Sequence, residues 1–192
     1  MNRKVGEQMS YRERLQNIAD QNGGIFRTSD LTELGYDSNG IRKLVADRVI
    51  ERIKPSYFRL YGEDTELSEA AQVAQLFPDG VLCMYSALFY YRYSDRTPLE
   101  WNIAVDRDTS KSRFHLDYPF VQPYYMKKDL LKLGVTTADY GDCMMQIFDR
   151  DRLICDCIFN ENKMDRETYN KAIQGYVADP KKNIPQLLEY AE

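Results

Sequence analysis

Apolar positions in the first third of the chain recur at helical spacing in short bursts, each closed by glycine or a turn residue. Tyr11, Leu15, Ile18 and Ala19 form one stripe over 11–21, with Ser10 placed to cap it and Asn22-Gly23-Gly24 to end it. Ile25-Phe26 predicts a very short strand edge. Thr28 is expected to cap a second helix running to about Leu34, with Leu31 and Leu34 facing inward and Gly35 closing it. Ser38 is expected to cap a third helix that reaches about Arg48. From Val49 to Tyr61, β-branched and aromatic residues surround Lys54-Pro55-Ser56, which predicts a hairpin with a turn at its centre. Two short helices joined through a tight glycine turn, then a hairpin, follow the order of a winged helix-turn-helix.

A break is expected at Gly62-Glu63-Asp64-Thr65. Beyond it, Leu67 to Phe77 resumes a helical pattern and stops at Pro78-Asp79-Gly80. Val81 to Tyr93 is apolar and aromatic, with Ser86-Ala87-Leu88 expected to be helical. Leu99 to Val105 alternates as a strand, placing Trp101, Ile103 and Val105 on one face and Glu100, Asn102 and Ala104 on the other. Further strands are expected at 118–126 and 144–148, and helices at 149–159, 166–176 and 184–190. The expected class is α+β: an N-terminal winged helix-turn-helix over 1–62, then a mixed α/β C-terminal domain over 63–192 with a small sheet and packed helices.

At about 100° per residue, the third helix divides cleanly. Ile41, Leu44 and Val45 fall on one arc, and Asn39, Arg42, Lys43 and Ala46 on the opposite one. Asn and Arg side chains can pair in bidentate fashion with adenine and guanine edges, Lys43 suits a phosphate or a guanine, and Ala46 permits close approach. Ser38 lies at the same end of the helix. Arg27, Thr28 and Ser29, opening helix two, are placed to hold phosphate with the help of free backbone N–H groups. Arg52, Lys54, Ser56, Tyr57 and Arg59 give the hairpin a basic, hydroxyl-bearing tip.

Net charge is −4, which alone argues against nucleic acid, but the charge is unevenly spread. Residues 1–62 carry 11 Lys+Arg against 8 Asp+Glu, and the remainder 15 against 22. From Ser38 to Arg59 the count is 6 basic residues against 2 acidic ones. A basic head on an acidic body can still bind phosphate, since contacts depend on the field within a Debye length of ~10 Å. No run approaches the ~18 apolar residues of a membrane span, and Met1 to Ser10 lack a signal-peptide core. A cytoplasmic protein that binds no membrane is expected. Cys83, Cys143, Cys155 and Cys157 lack paired knuckle spacing, and His115 is the only histidine, so reduced thiols without zinc are expected.

These segments resemble the AbiEi antitoxins. The resemblance is carried by Gly24-Ile25-Phe26-Arg27-Thr28 through Leu34-Gly35, then by Ile41-Arg42-Lys43-Leu44-Val45 and Ile50-Glu51-Arg52-Ile53. In the second half it is carried by Tyr85-Ser86-Ala87-Leu88, by Trp101-Asn102-Ile103-Ala104-Val105, and by Asp151-Arg152-Leu153-Ile154-Cys155-Asp156. That last stretch is similar to the family's Glu-Arg-Thr-Ile-Cys-Asp pattern, with Asp151 for Glu and Leu153 for Thr. The resemblance implies a two-domain antitoxin of a type IV toxin–antitoxin, or abortive-infection, system. It implies a winged head that represses its own operon by binding inverted repeats in double-stranded promoter DNA. The implied functional partner is a nucleotidyltransferase-like toxin, opposed through the C-terminal domain without a stable complex. One departure is that Pro55-Ser56 occupies the wing turn, where the family often has glycine.

Arg152 and Asp156 stand four apart on a helix, which predicts an ion pair; the resemblance adds that they organise a polar site of the C-terminal domain. Glu161-Asn162-Lys163 after Asp149 or Asp151 superficially suggests a metal-dependent nuclease, but these residues end a helix and enter a loop, a poor support for metal geometry. His115 has no nucleophile partner at a known spacing, and no phosphate-cradling glycine loop occurs. The expectation is therefore a DNA-binding antitoxin with no enzymatic activity and no cofactor. The alternatives are an ordinary winged-helix regulator with a ligand-sensing or dimerising C-terminal domain, and a nuclease with a winged targeting head.

Overall fold

A computed structural model describes residues 10–63 and 67–191. Met1 to Met9, and Asp64 and Thr65 of the expected break, lie outside the described residues. The chain divides into two compact units, with the boundary between Ser68 and Glu69.

The first unit opens with α1 (Tyr11–Gln21), held at its start by a reciprocal capping box between Ser10 and Glu13. Gly23 and Gly24, at φ 62° and 92°, then turn the chain into β1 (Phe26–Arg27). α2 spans Thr28–Glu33 and α3 spans Ser38–Ala46. β2 (Ile50–Lys54) and β3 (Tyr57–Leu60) form the hairpin, and the sheet order is β1-β3-β2, antiparallel throughout. Leu15, Phe26, Leu31, Ile41, Leu44, Ile50, Phe58 and Leu60 make one buried cluster that all three helices and the sheet share. Each such side chain contributes ~1.5–3 kcal/mol by leaving water, so the unit rests on this cluster.

Two caps differ from expectation. Thr28 is the first helical residue of α2, and the preceding Arg27 N–H is satisfied by the Asp30 carboxylate at 2.7 Å. In α3 the cap is Asp37, whose carboxylate accepts from the Gly40 N–H at 2.7 Å, and Ser38 is already helical. In α3 a carboxylate takes the capping role expected of a hydroxyl, whereas in α2 the Asp30 carboxylate, one turn in, reaches back to the N–H of Arg27.

The second unit runs through α4 (Glu69–Leu76), β4 (Val81–Leu82), α5 (Met84–Tyr90), β5 (Trp101–Asp106), β6 (Val121–Met126), α6 (Lys128–Lys132), β7 (Val135–Asp139), β8 (Met144–Phe148), α7 (Arg150–Phe159), α8 (Arg166–Ala178) and α9 (Ile184–Ala191). Its mixed sheet has the order β6-β5-β4-β8-β7, with β5 parallel to β6 and β4 parallel to β8. β4, the central strand, is two residues long. Both its residues are buried, so it carries no alternation for a pattern to reveal. β5 is covered on both faces: Asn102 and Ala104 on one side and Ile103 and Val105 on the other are all buried.

The start of α7 ties the C-terminal helices to the sheet. Asp149 caps the helix through the Arg152 N–H and accepts from the Tyr190 hydroxyl at 2.8 Å. Arg150 pairs with Asp179 at 2.9 Å and lies over the Tyr91 ring. Buried Asp151 accepts from both the Tyr176 hydroxyl at 2.6 Å and the Asn183 N–H at 2.8 Å. Three consecutive polar side chains thus secure α8, α9 and the segment joining them.

Candidate nucleic-acid interface

The burial of α3 follows its sequence pattern. Ile41 and Leu44 are buried and Val45 is half-buried in the shared core, whereas Ser38, Asn39, Arg42, Lys43 and Ala46 are exposed. The Arg42 Nε donates to the Ser38 carbonyl at 3.3 Å, one turn back on the helix. That bond lays the guanidinium stem along the exposed face and leaves its terminal nitrogens outward. Lys43 stands beside it.

At the start of α2 the structure changes the expected chemistry. Arg27, Thr28 and Ser29 are at least partly exposed, but two of the backbone N–H groups expected to be free are taken. The Arg27 N–H goes to Asp30, and the Thr28 N–H donates to the Ser56 carbonyl at 3.0 Å. The side-chain groups at this helix start are the Arg27 guanidinium and the Thr28 and Ser29 hydroxyls. The Ser29 hydroxyl already donates to Asp30 at 3.2 Å.

In the wing, Pro55 and Ser56 are exposed, with Ser56 at φ 69°, the pattern of a type II turn. Lys54 is a correction: it is 2% exposed, and its ammonium sits 4.5 Å from the centroid of the Tyr57 ring. A bulge between Arg52 and Lys54 breaks the alternation, so Lys54 leaves the exposed side that Arg52 keeps. Tyr57 is half-buried, and the Arg27 guanidinium also approaches its ring, at 5.6 Å. Arg52 is exposed and lies over Phe58 at 5.4 Å. Arg59, also expected at the basic tip, is instead paired to Glu51 at 2.7 Å across the hairpin. Among the described residues, Arg27, Arg42, Lys43 and Arg52 form no ion pair with a carboxylate.

In the second unit, Arg152 and Asp156 form the expected pair, Nε to Oδ1 at 3.1 Å, and Arg152 is buried. Arg152 also donates to the Leu130 carbonyl at 3.1 Å and lies over Phe148. The second carboxylate oxygen of Asp156 is buried without a hydrogen bond, and burial raises its pKa against the lowering effect of Arg152. The pair therefore fastens α7 to the 130s segment and faces the core. Glu161-Asn162-Lys163 forms a short exposed 3-10 turn, while the carboxylates of Asp149 and Asp151 serve the hydrogen bonds described above. Among the described residues, no group of three or more His, Cys, Asp or Glu side chains is placed to hold a metal ion. All four cysteines are free thiols, Cys83 and Cys157 fully buried, and His115 is exposed. No helix among the described residues is long and apolar enough to cross a membrane.

Sequence reasoning missed the polar lining around Asn102 and Tyr124 in the second unit. Its one visible signal was an asparagine set inside the otherwise apolar run Trp101 to Val105. No curated protein matches the chain. Residues 13–61 match the family model described as "Transcriptional regulator, AbiEi antitoxin". That span begins within α1 and ends one residue past β3, taking in most of α1, the other two helices of the head and its wing. This head is similar to the AbiEi antitoxins, a family of transcriptional regulators.

Proposed function

We propose that this protein is a cytoplasmic antitoxin that represses its own operon, with 1–62 as the DNA-binding domain and 63–192 as the domain that opposes the toxin. The observation that carries the reading is the two-faced α3: Ile41 and Leu44 are buried, while Asn39, Arg42, Lys43 and Ala46 stand in solvent. In the proposed complex α3 enters the major groove of double-stranded DNA, where Asn39 and Arg42 read base edges. Ser38, Lys43, Arg27, Thr28, Ser29, Arg52, Ser56 and Tyr57 contact the backbone and hold the register. Lys54 supports the wing from beneath through Tyr57. The DNA is an inverted repeat in the operon's own promoter, met by two protomers related by two-fold symmetry. The toxin it opposes is nucleotidyltransferase-like and is countered without a stable complex and without catalysis by this chain. Arg152 and Asp156 serve that opposition by holding the second unit's shape.

The experiment is fluorescence anisotropy of the full chain on its own upstream DNA and on random duplex at ~0.15 M salt, where specific complexes of this kind exceed non-specific ones by ~10³ or more. Equal affinity for the two duplexes would remove the proposal. Co-expression with the adjacent gene tests the second half: growth rescued from a toxic neighbour supports the antitoxin role, and no rescue leaves a plain regulator.

A further inference from the structure

The second unit holds a cavity of about 340 Å³ beside the β6 edge of its sheet, lined by Tyr85 of α5, Asn102 of β5, Gln122 and Tyr124 of β6, and the loop from Ser94 to Glu100. Asn102 is 5% exposed. Its Oδ1 accepts from the Tyr85 N–H at 3.0 Å, which fixes which end of the amide is oxygen. The Nδ2 group then makes no hydrogen bond among the described residues and stays reachable from the cavity that Asn102 lines. The Tyr124 hydroxyl likewise makes no hydrogen bond among them. Burial pushes its phenol up to about 12, so at neutral pH it is an O–H donor.

The lining also says what the ligand is not. Arg96 is the one cation among the described lining residues, and it is already paired with Asp165 and Glu167. Glu100 and Asp165 line the same space, so an anion would meet net negative charge. A purely apolar ligand would leave the Asn102 amide desolvated and unpaired, which costs ~1–3 kcal/mol. Tyr85 and Tyr124 pack against the apolar cluster of Val81, Cys83, Met84, Ala104 and Phe148, which holds their rings in place. Two anchored aromatic rings, an unbonded amide donor and a carboxylate acceptor suit a neutral planar ring that carries a carbonyl beside an N–H. A cavity of ~300 Å³ accommodates a single small molecule of that kind.

We propose that this cavity binds a lactam-edged nucleobase of the guanine or uracil type, with Asn102 Nδ2 donating to the ring carbonyl, Glu100 accepting from the ring N–H, and the ring lying against Tyr85 and Tyr124. Aromatic contact with hydrogen bonds to the pairing edge is how proteins read an unstacked base. The assignment uses the second unit alone and does not depend on the DNA-binding reading of the head. The base can arrive as a free nucleoside or from single-stranded nucleic acid.

Calorimetric titration of the full chain with guanosine, uridine, adenosine and a short single-stranded oligouridine tests it. Saturable binding of guanosine or uridine is expected, with adenosine about tenfold weaker for its mismatched edge. Glu100→Ala and Tyr124→Phe should each weaken binding about tenfold. Glu100 is exposed, so its variant should unfold at the wild-type temperature. Equal affinity for nucleoside and oligouridine assigns the free compound, and tighter oligouridine binding assigns single strands; both support base recognition. Absence of saturable binding to all four, adenosine binding as tightly as the others, or affinities unchanged in both variants overturns the assignment.

Discussion

The backbone N–H of Thr28, first residue of α2, donates to the carbonyl of Ser56 in the wing turn at 3.0 Å. This bond ties the hairpin tip to the helix-turn-helix, so the wing is braced against the element it flanks. It also gives the Pro55-Ser56 turn a structural task beyond any contact with DNA. Ser56 performs it at φ 69°, a left-handed conformation that L-residues adopt at a cost of ~1–2 kcal/mol.

A β-branched side chain is the worst fit to that conformation. Ser56→Val should lower the unfolding free energy by about 1–2 kcal/mol. Ser56→Gly should hold or raise it, because relief of strain offsets the ~0.5–1 kcal/mol of extra freedom glycine gives the unfolded chain. Urea unfolding of the three proteins checks the order. A valine variant at least as stable as the glycine variant would contradict the strain argument.

The exposed face of α3 and the wing should fail differently when altered. Asn39→Ala and Arg42→Ala should each cost ~1–3 kcal/mol on the specific operator and much less on random duplex. Arg52→Ala should weaken both duplexes alike and reduce the salt slope by about one unit. Lys54→Ala acts elsewhere: with its ammonium buried against Tyr57, it should lower the melting temperature of the protein before it lowers affinity. Anisotropy titrations at several salt concentrations, with melting curves for each variant, separate these outcomes. Identical losses on operator and random DNA for Asn39→Ala and Arg42→Ala would remove α3 as the reader.

Asp151 is the most exacting position of the second unit, since one oxygen serves two donors from different parts of the chain. Asp151→Ala strands the Tyr176 hydroxyl and the Asn183 N–H together, an expected loss of ~2–4 kcal/mol. Tyr176→Phe removes one bond and strands no donor, so its loss should stay near 1 kcal/mol. Chemical denaturation measures both. Equal losses would mean that the Asn183 bond contributes nothing.

Acid should act on the same region through Asp179. Its carboxyl is held below the usual aspartate value, first by the Tyr93 hydroxyl at 2.6 Å, against opposing desolvation, and further by the Lys181 N–H and Arg150. A folded value below the unfolded one, ~3.9, means that the unfolded chain binds the proton more readily. The stabilisation is thus complete above the unfolded value and disappears as pH falls through the folded one. Asp156 works in the opposite sense, because burial raises its folded value and favours the folded state at lower pH. The informative quantity is the difference between wild type and Asp179→Asn. That gap in melting temperature should be full at pH 6 and close progressively below ~pH 4. A gap that stays constant across this range would show that Asp179 titrates alike in both states.

Local pattern accounts for what could be read before any coordinates. The stripe of Leu15, Ile18 and Ala19, the arc of Ile41, Leu44 and Val45, and the β-branched run around Pro55-Ser56 each declare an element within a dozen residues. The two faces of α3 were legible for the same reason, since helical periodicity sorts side chains with no knowledge of what they pack on. Caps were less legible: Asp37 acts where Ser38 was expected, because neighbouring polar residues compete for the same N–H groups, and α2 starts one residue earlier than a Thr28 cap would allow.

By itself, then, the amino-acid order determined a head of three short helices and a hairpin, a β/α body, and the exposure of Asn39, Arg42 and Lys43. Tertiary structure decided the rest, through contacts between residues far apart in the chain. It made Val81-Leu82 the centre of a sheet, turned Lys54 inward at a bulge, and buried Asn102 with one amide group facing a cavity. The physical reason is that periodicity reports only one side of a contact. Whether a strand has one covered face or two, or a lysine meets water or a tyrosine ring, depends on partners that local sequence does not contain.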